Sequence, residues 1–198
     1  MRRTSFSFLT SAVDLDGCPQ DNFPEVALAG RSNAGKSSFI NALAGSKMAR
    51  VSSAPGKTRL LNFFQASSGY RLVDMPGYGY AKGVVDDSAG WAGMIEPYLA
   101  ARANLAGILV LMDVRRHWAS EERDLLSWTQ PIGIPAAVVL TKSDKLTRSD
   151  ALKASALAIR AAGTEDVYLT SALKKTGYLE LEDFVYQTWI KPRLEARP

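Results

Sequence analysis

Short apolar runs alternate along the chain with segments in which apolar residues recur at helical spacing. The strand-like runs cover residues 26–29, 60–65, 70–74, 105–112, 136–140 and 167–170. Helical spacing covers residues 36–43, 91–99, 149–162 and 179–190, and a further helix is expected from Ser120, its predicted N-cap, to a point before Pro131. This order predicts an α/β fold in which helices cover both faces of a mostly parallel sheet.

One departure from parallel order is a predicted hairpin. The runs 60–65 and 70–74 are separated by Ala66-Ser67-Ser68-Gly69, a cluster of turn residues, which predicts one antiparallel strand at the edge of the sheet. We expect the main domain at residues 24–190, an N-terminal extension at 1–23 that packs on it, and a frayed C-terminal tail at 191–198.

The composition is that of one globular domain. Of the 198 residues, 46% are hydrophobic and 22% are charged, so the chain is long enough to bury its own core. Its single cysteine, Cys18, excludes an intrachain disulfide and favours a reducing cytoplasm. We find no signal-peptide pattern and no apolar run near the roughly 20 residues that span a bilayer, so we expect no membrane association. The net charge of +4 would attract phosphate backbones only if it were clustered.

A glycine-bounded loop follows the first of these strands. Residues 30–37 read GRSNAGKS and match the pattern GxxxxGK[ST] between a predicted strand and a predicted helix. In this pattern the loop backbone and the helix N-terminus bind a polyphosphate, the lysine neutralises the β and γ phosphates, and the hydroxyl binds Mg²⁺. The predicted phosphate-binding residues are Gly30, Arg31, Ser32, Asn33, Ala34, Gly35, Lys36, Ser37 and Ser38. Lys36 is also a predicted catalytic residue, and Ser37 is a predicted Mg²⁺ ligand.

Two later motifs extend this site. Residues 74–77 (DMPG) end a strand, where Asp74 is predicted to hold Mg²⁺ and Gly77 to offer its N–H to the γ-phosphate. Residues 141–144 (TKSD) follow another buried strand, and we predict base contacts from Thr141, Lys142 and Asp144. The Asp144 carboxylate can accept from both the ring N–H and the amino group of guanine, which adenine does not offer, while the lysine stem covers the base.

Two further segments complete the predicted site. Ser171 and Ala172 follow the last strand, where a backbone N–H would reach the guanine carbonyl oxygen. Residues 52–58 form a loop rich in turn residues, in which Gly56 is a predicted nucleotide contact. Thr58 is predicted to complete the Mg²⁺ shell when GTP is bound and to assist catalysis, which would make this loop a switch. The alternative is a plain surface loop.

In this order the motifs predict a guanine-nucleotide-binding P-loop GTPase with a three-layer, Ras-like α/β fold. They resemble the translation-factor-related class of GTPases and, in closer detail, the YihA/EngB/YsxC family of ribosome-assembly GTPases. The similar stretches are residues 30–38, 55–58, 61–64, 74–81, 113–115 and 141–144, and the resemblance extends over about 170 residues. It implies a cytoplasmic protein, expected to be a monomer, that assists assembly of the large ribosomal subunit, contacts its precursor rRNA and proteins, and affects cell division.

Two residues depart from the Ras-like pattern. Thr141 stands where asparagine is usual, so we expect the loss of a side-chain contact to the base edge and the P-loop. Tyr78 stands where a glutamine orients the attacking water, so we expect slow intrinsic hydrolysis. Asn33, a predicted catalytic residue, offers compensation, because related potassium-dependent GTPases use an asparagine here to hold K⁺ against the phosphates. A purely structural role for Asn33 within the loop is the other interpretation.

Three other functions stay open. A small-molecule kinase or ATPase would share the phosphate loop but not a base motif like residues 141–144. Tyr78 favours a non-catalytic GTP/GDP sensor acting on a protein partner. Another small GTPase, of the tRNA-modification or Era-like group, would need domains for which the chain has no room. Basic residues at the nucleotide face predict either an RNA-facing surface or ordinary solvated charge; they are Lys47, Arg50, Lys57, Arg59, Arg115, Arg116, Lys174 and Lys175. His117 is assigned no chemistry.

Overall fold

The computed structural model describes residues 4–48, 60–78 and 87–197. The strands are β1 (Phe6–Ala12), β2 (Glu25–Gly30), β3 (Leu61–Ala66), β4 (Arg71–Asp74), β5 (Leu105–Asp113), β6 (Ala136–Thr141) and β7 (Val167–Leu169). The α-helices are α1 (Lys36–Ala44), α2 (Asp87–Ala101), α3 (Ser120–Thr129), α4 (Arg148–Ala162), α5 (Tyr178–Phe184) and α6 (Lys191–Glu195). A 3₁₀ turn (Ser143–Lys145) follows β6, and a π-helical segment (Val185–Ile190) joins α5 to α6.

Within the described residues the strands form a seven-stranded sheet in the order β1-β3-β4-β2-β5-β6-β7. Strands β4, β2, β5, β6 and β7 pair in parallel, whereas β3 is antiparallel to both β1 and β4. The predicted class, a mostly parallel sheet with an antiparallel strand and surrounding helices, is confirmed. Strand β3 is nevertheless not the edge, because β1 pairs along its full length and takes that place.

Strand β1 lies within the predicted N-terminal extension, residues 1–23. The ring of Phe8 packs edge-on against Phe64 with centroids 5.8 Å apart, and Phe6 packs in the same way against Tyr70 at 5.9 Å. Serine and phenylalanine alternate over residues 5–8, and this two-residue period of polar and apolar side chains is typical of a half-buried strand. That alternation was the available signal for this strand.

Apolar side chains fill the space between the sheet and the helices on both faces. On one face the cluster joins β2, β5 and β6 to α1 and the C-terminal helical segments; it includes Leu28, Leu109, Leu111, Phe39, Val185 and Trp189. On the other face the cluster joins the sheet to α2 and α3; it includes Ala27, Ile108, Val110, Ile95, Tyr98 and Leu125. Because β2 and β5 are parallel neighbours, the loops that follow them and lead into α1 and α3 lie together at the carboxyl ends of the strands.

Two predicted helix boundaries differ from the structure. The tail after residue 190 is not frayed over its described part, because α6 continues the helix to Glu195 and the guanidinium of Arg197 lies 4.9 Å from the centroid of the Phe23 ring. Helix α3 has Ala119, not Ser120, at its N-cap. The side chain of Glu122 causes this shift, since its Oε2 accepts the N–H of Ala119 at 3.0 Å and so closes the first turn one residue earlier.

The amino ends of the parallel strands surround a buried carboxylate. Glu25, the first residue of β2, is fully buried, and its Oε2 accepts the Tyr98 hydroxyl at 3.0 Å and Nε of Arg102 at 2.9 Å. Nη2 of Arg102 donates to Oε1 at 2.7 Å, and Arg71 lies 3.9 Å from the same oxygen. Arg71 also pairs with Asp21. The ion pair between Arg71 and Asp21 therefore holds the segment between β1 and β2 against the amino ends of the strands.

Candidate nucleotide-binding site

The predicted phosphate loop connects the carboxyl end of β2 to the first turn of α1. Gly35 caps α1 with a left-handed backbone, φ = 99°, which favours glycine because a Cβ would be strained there. Asn33 is also left-handed, φ = 64°, and the N–H of Ala34 donates to Arg31 O at 3.0 Å. Left-handed residues of this kind form the concave backbone nests that bind anions.

Lys36 and Gly77 lie against this loop. Nζ of Lys36 donates to Gly30 O at 3.0 Å, and burial lowers the pKa of Lys36 while the nearby Asp74 carboxylate opposes that shift. A Cβ added to Gly77 would lie 3.1 Å from Nζ of Lys36 and 3.2 Å from the backbone nitrogen of Ser32. The turn after β4 therefore touches the phosphate loop, and the N–H of Ser32 donates to the carbonyl of Tyr78 at 3.0 Å.

Asp74, the last residue of β4, is 8% exposed. Its Oδ1 accepts no hydrogen bond from the described residues, and burial raises the pKa of Asp74 to about 6 although Lys36 acts in the opposite direction. A buried carboxylate oxygen without a partner is costly unless a ligand binds it. Carboxylate and hydroxyl oxygens are ligands that Mg²⁺ favours, so the unpartnered Asp74 oxygen and the partly buried Ser37 are of the right chemistry for the predicted metal. The predicted third ligand, Thr58, and the predicted contact Gly56 lie outside the described residues.

Thr141 ends β6 beside the phosphate loop. Its Oγ1 lies 2.6 Å from Ala34 O and 3.1 Å from Met112 O, so the hydroxyl donates to the loop carbonyl. The amide contact expected to be lost at the P-loop is thus replaced by a hydroxyl contact, while the expected loss at the base edge stays a prediction. Threonine is shorter than asparagine, but its hydroxyl still reaches the loop because the Thr141 side chain is adjacent to the carbonyl of Ala34.

Asp144 follows in the 3₁₀ turn. The hydroxyl of Ser171 donates to Asp144 Oδ1 at 2.6 Å, and this hydrogen bond lowers the pKa of the carboxyl group. The N–H of Ser171 donates to Thr176 O at 3.1 Å, so Ser171 acts on the site through its side chain, and the predicted backbone N–H for guanine would come from Ala172. Sequence reasoning missed this role, because the two residues are 27 positions apart.

An open cavity of about 420 Å³ lies between these motifs. Its walls include Gly35, Ser38, Thr141, Lys142, Asp144 and Ala172. The cavity is concave, lies beside the phosphate loop, and is lined by the aliphatic part of Lys142 and by the Asp144 carboxylate. Such a cavity can accommodate the base and sugar of a nucleoside. The structure thus brings together the predicted phosphate and base residues of the described part of the chain.

Asp113 and Arg115 were missed as site residues. The Asp113 carboxylate accepts Nζ of Lys142 at 2.9 Å and Nη2 of Arg115 at 2.7 Å. Nζ of Lys142 also donates to the carbonyl of Asn33 at 2.8 Å. An acidic residue at the end of a buried strand was the available signal, since Asp74 occupies the same kind of position.

Tyr78 is 5% exposed and belongs to an apolar cluster beneath the sheet. Its hydroxyl donates to Glu122 Oε1 at 3.3 Å, and burial raises the pKa of Tyr78 far above its ordinary value. Beside it, Arg31 of the phosphate loop lies 3.5 Å from Glu121. The phenol is therefore held in the core by α3.

The candidate partner surface is partly described. Lys47, Arg115, Arg116, Lys174 and Lys175 are exposed. The remaining candidates, Arg50, Lys57 and Arg59, lie outside the described residues. No helix in the described ranges is long and apolar enough to cross a membrane.

The fold and the loop define a P-loop GTPase domain, and comparisons with known proteins agree. A family model described as "50S ribosome-binding GTPase" matches residues 25–142. The probable GTP-binding protein EngB of Bdellovibrio bacteriovorus is 51% identical over 187 residues, with 94% of each chain covered. The EngB protein of Dechloromonas aromatica is 46% identical over 197 residues, covering 96% of this chain and 89% of that one. The chain therefore belongs to the EngB family of GTP-binding GTPases.

Solved structures support the fold. A crystal structure of a probable GTP-binding protein engB superposes with a TM-score of 0.69 at 20% identity, covering 82% of this chain and 97% of that one. Era in complex with MgGDPNP and nucleotides 1506–1542 of 16S ribosomal RNA superposes with a TM-score of 0.65 at 23% identity. That match covers 84% of this chain and 56% of Era.

Proposed function

We propose that this protein is a GTP-driven switch that slowly hydrolyses GTP to GDP and phosphate and binds precursors of the large ribosomal subunit differently in its two nucleotide states. The observation that carries the proposal is the contact between the turn after β4 and the phosphate loop. Gly77 and the carbonyl of Tyr78 lie against Ser32 and Lys36. A γ-phosphate bound to this loop would contact that turn directly, whereas GDP would not, so the two nucleotides would stabilise different conformations.

The phosphate groups are assigned to the loop backbone from Gly30 to Ser38 and to the Lys36 ammonium. Ser37 and Asp74 would hold Mg²⁺ together with Thr58, and Gly56 would contact the nucleotide. A Mg²⁺ ion bound there would neutralise charge on the β and γ phosphates. Lys36 supplies the same kind of stabilisation from the protein, because its ammonium is already fixed beside the loop by Gly30 O.

Guanine is assigned to the cavity beside Asp144. Ser171 fixes Oδ1 of this carboxylate, which orients the group before the base arrives. Asp144→Asn should weaken GDP binding by about tenfold or more and improve binding of xanthosine diphosphate, because an amide can donate to the second xanthine oxygen. Titration of both nucleotides into the parent and the variant tests this, with Asp150→Asn on exposed α4 as a charge-matched control. No gain for xanthosine would place the base contact elsewhere.

Slow turnover is proposed because the Tyr78 phenol is held by Glu122 in the core. Asn33 supports a compensating K⁺ site, since its side chain is exposed and makes no hydrogen bond with the described residues. Turnover should rise when Na⁺ is replaced by K⁺ at matched ionic strength, and Asn33→Ala should abolish that rise while leaving GDP affinity intact. Single-turnover hydrolysis in both salts measures the effect. Equal rates in the two salts would exclude the cation and leave the ribosomal partner as the activator.

The ribosomal partner is supported by the family description, by the EngB relatives, and by exposed basic residues near the nucleotide cavity. Co-sedimentation with bacterial large subunits and their precursors, in GDP and in a non-hydrolysable GTP analogue, tests it at two salt concentrations. The GTP form should bind more tightly than the GDP form, and the Lys36→Ala variant should show no nucleotide dependence. Equal sedimentation in both nucleotides would contradict a switch. An effect on cell division, a cytoplasmic location and a monomeric state belong to the same proposal.

A second candidate is a sensor that binds GTP without hydrolysing it. The burial of Tyr78 favours it, because the residue that follows Gly77 supplies no group to orient water. The two candidates separate in the hydrolysis assay with potassium and large-subunit precursors both present. A sensor would bind GTP tightly and release no phosphate. The proposed switch would release one phosphate for each GTP molecule bound.

A further inference from the structure

Asp113 lies in the family-like stretch 113–115 but was not among the predicted site residues, and it has an unusual set of partners. It ends β5, pairs in register with Thr141 of β6, and is 4% exposed. Oδ1 accepts Nε of Arg115 at 2.9 Å, and Oδ2 accepts Nη2 of Arg115 at 2.7 Å and Nζ of Lys142 at 2.9 Å. Burial by itself would raise the pKa of Asp113, but the hydrogen bonds from Arg115 and Lys142 hold it well below its usual range. The carboxylate therefore stays charged beside the nucleotide cavity.

Lys142 reaches Asp113 from a strained backbone. Its φ of 58° and ψ of 35° are left-handed, a conformation that costs a non-glycine residue free energy and persists where surrounding contacts fix it. From there the side chain crosses the phosphate loop. Its Cε lies 3.8 Å from the position of a Cβ on Gly35, its Nζ donates to Asn33 O, and its stem lines the cavity. Asp113 is the only charged acceptor of this ammonium in the described part of the chain.

We propose that Asp113 is a positioning residue of the nucleotide site, which anchors the Lys142 ammonium so that the lysine stem forms a preformed wall of the base cavity. This inference rests on the proposed guanine site. Arg115 keeps the carboxylate oriented through its two-point contact. Without the anchor, the ammonium retains only the carbonyl of Asn33, and the long side chain must be ordered again when the base binds.

A double-mutant cycle on GDP affinity tests the proposal. Lys142→Met keeps an apolar stem and removes the ammonium, while Asp113→Asn keeps the shape of the carboxyl group and removes its charge. Each single variant should bind a fluorescent GDP analogue about tenfold more weakly, and the double variant should bind no more weakly than Lys142→Met alone. Asp150→Asn is the control, because Asp150 is an exposed acid on α4.

The outcomes separate the alternatives. Additive losses in the double variant would show that Asp113 does not act through Lys142, and unchanged affinity in Asp113→Asn would overturn the proposal. If Asp113→Asn does not fold, Arg115→Gln replaces it, because the Arg115 side chain is about half exposed. Arg115→Gln should weaken GDP binding about threefold in the parent and not at all in Lys142→Met. A parent protein that fails to bind GDP would refute the proposed function itself.

Discussion

Two buried carboxylates stand at opposite ends of the same sheet, and their surroundings differ. Glu25 opens β2 and accepts three hydrogen bonds, from Tyr98 and Arg102. Asp74 closes β4, and its Oδ1 has no partner among the described residues. Pairing at the amino end stabilises the fold, whereas the unpaired oxygen at the carboxyl end is available to a ligand. Ligands of parallel α/β sheets bind at this second end, where loops leave the strands.

The backbone shows the same difference. The non-glycine residues with left-handed φ in the described ranges are Asn33, Lys142 and Lys175, and all three lie in loops at the carboxyl end. Such conformations cost free energy and concentrate at functional sites. In the described residues the buried carboxylate at the amino end is paired, whereas the carboxyl end, where we propose that nucleotide binds, has strained backbone and an unpaired carboxylate oxygen. Substitutions at the two ends should have opposite consequences.

The largest effect is expected from Lys36→Ala at the carboxyl end. Removing the ammonium should weaken GTP binding roughly 10³-fold, because Nζ of Lys36 is the charge fixed beside Gly30 O, where the β and γ phosphates are expected. The circular dichroism spectrum should not change, since Lys36 is half-buried beside the site and outside the apolar core. Lys153→Ala, on exposed α4, serves as the control. Loss of helical signal would show that Lys36 is structural, like the amino-end residues.

The amino end should respond in the reverse way. Glu25→Gln leaves Arg102 and Arg71 without their buried charge partner, so the free energy of unfolding should fall by about 3 kcal/mol. GDP affinity should stay within about twofold, because the change lies at the far end of the sheet. Urea denaturation measures the first quantity and nucleotide titration the second, with the exposed Glu195→Gln as control. A large loss of GDP affinity in a folded Glu25→Gln protein would contradict the view that the amino end of the sheet affects stability and not nucleotide binding.

Asp74→Asn should stabilise the protein when metal and nucleotide are absent. The pKa of Asp74 is raised from 3.8 to about 6, so the folded state binds this proton more tightly than the unfolded state. The stabilising contribution is therefore present below the unfolded pKa and is lost as pH rises through about 6. At about pH 8 the variant should be more stable than the parent, by on the order of 1 kcal/mol for each unit of pKa shift, and at low pH the two should converge.

Thermal unfolding in EDTA across this pH range measures the difference. The same variant should lose the Mg²⁺ dependence of GTP binding, because an amide oxygen carries no charge to attract the ion. If the Asp74→Asn protein were less stable than the parent at about pH 8, the charged Asp74 carboxylate would stabilise the fold, as Glu25 does, and would not be kept for a ligand.

Sequence reasoning predicted the parts of the site that local pattern determines. Residues 30–38 would bind phosphate through their own backbone, and Asp74 and Asp144 lie at or just after strand ends, so the order of residues along the chain is enough to predict these positions. The Thr141 hydroxyl contact with Ala34, the Ser171 contact with Asp144 and the Asp113 anchor join residues that are distant in sequence. Such contacts depend on how the strands are ordered in the sheet, which the hydrophobic pattern does not specify. The amino-end cluster around Glu25 was missed for the same reason.

The smallest effect concerns Tyr78, which lies at the carboxyl end yet is paired like an amino-end residue. Its hydroxyl donates to buried Glu122, just as the Tyr98 hydroxyl donates to buried Glu25. Tyr78→Phe and Tyr98→Phe should therefore each lower the free energy of unfolding by about 1 kcal/mol and change GTP turnover by less than about twofold. The physical reason is that a phenol engaged in the core cannot orient water at the γ-phosphate. Urea denaturation and single-turnover hydrolysis on the two variants provide a matched test. If Tyr78→Phe slowed hydrolysis about tenfold while Tyr98→Phe did not, the phenol would have to leave Glu122 during the reaction, and the carboxyl end would hold a catalytic group that its resting structure conceals.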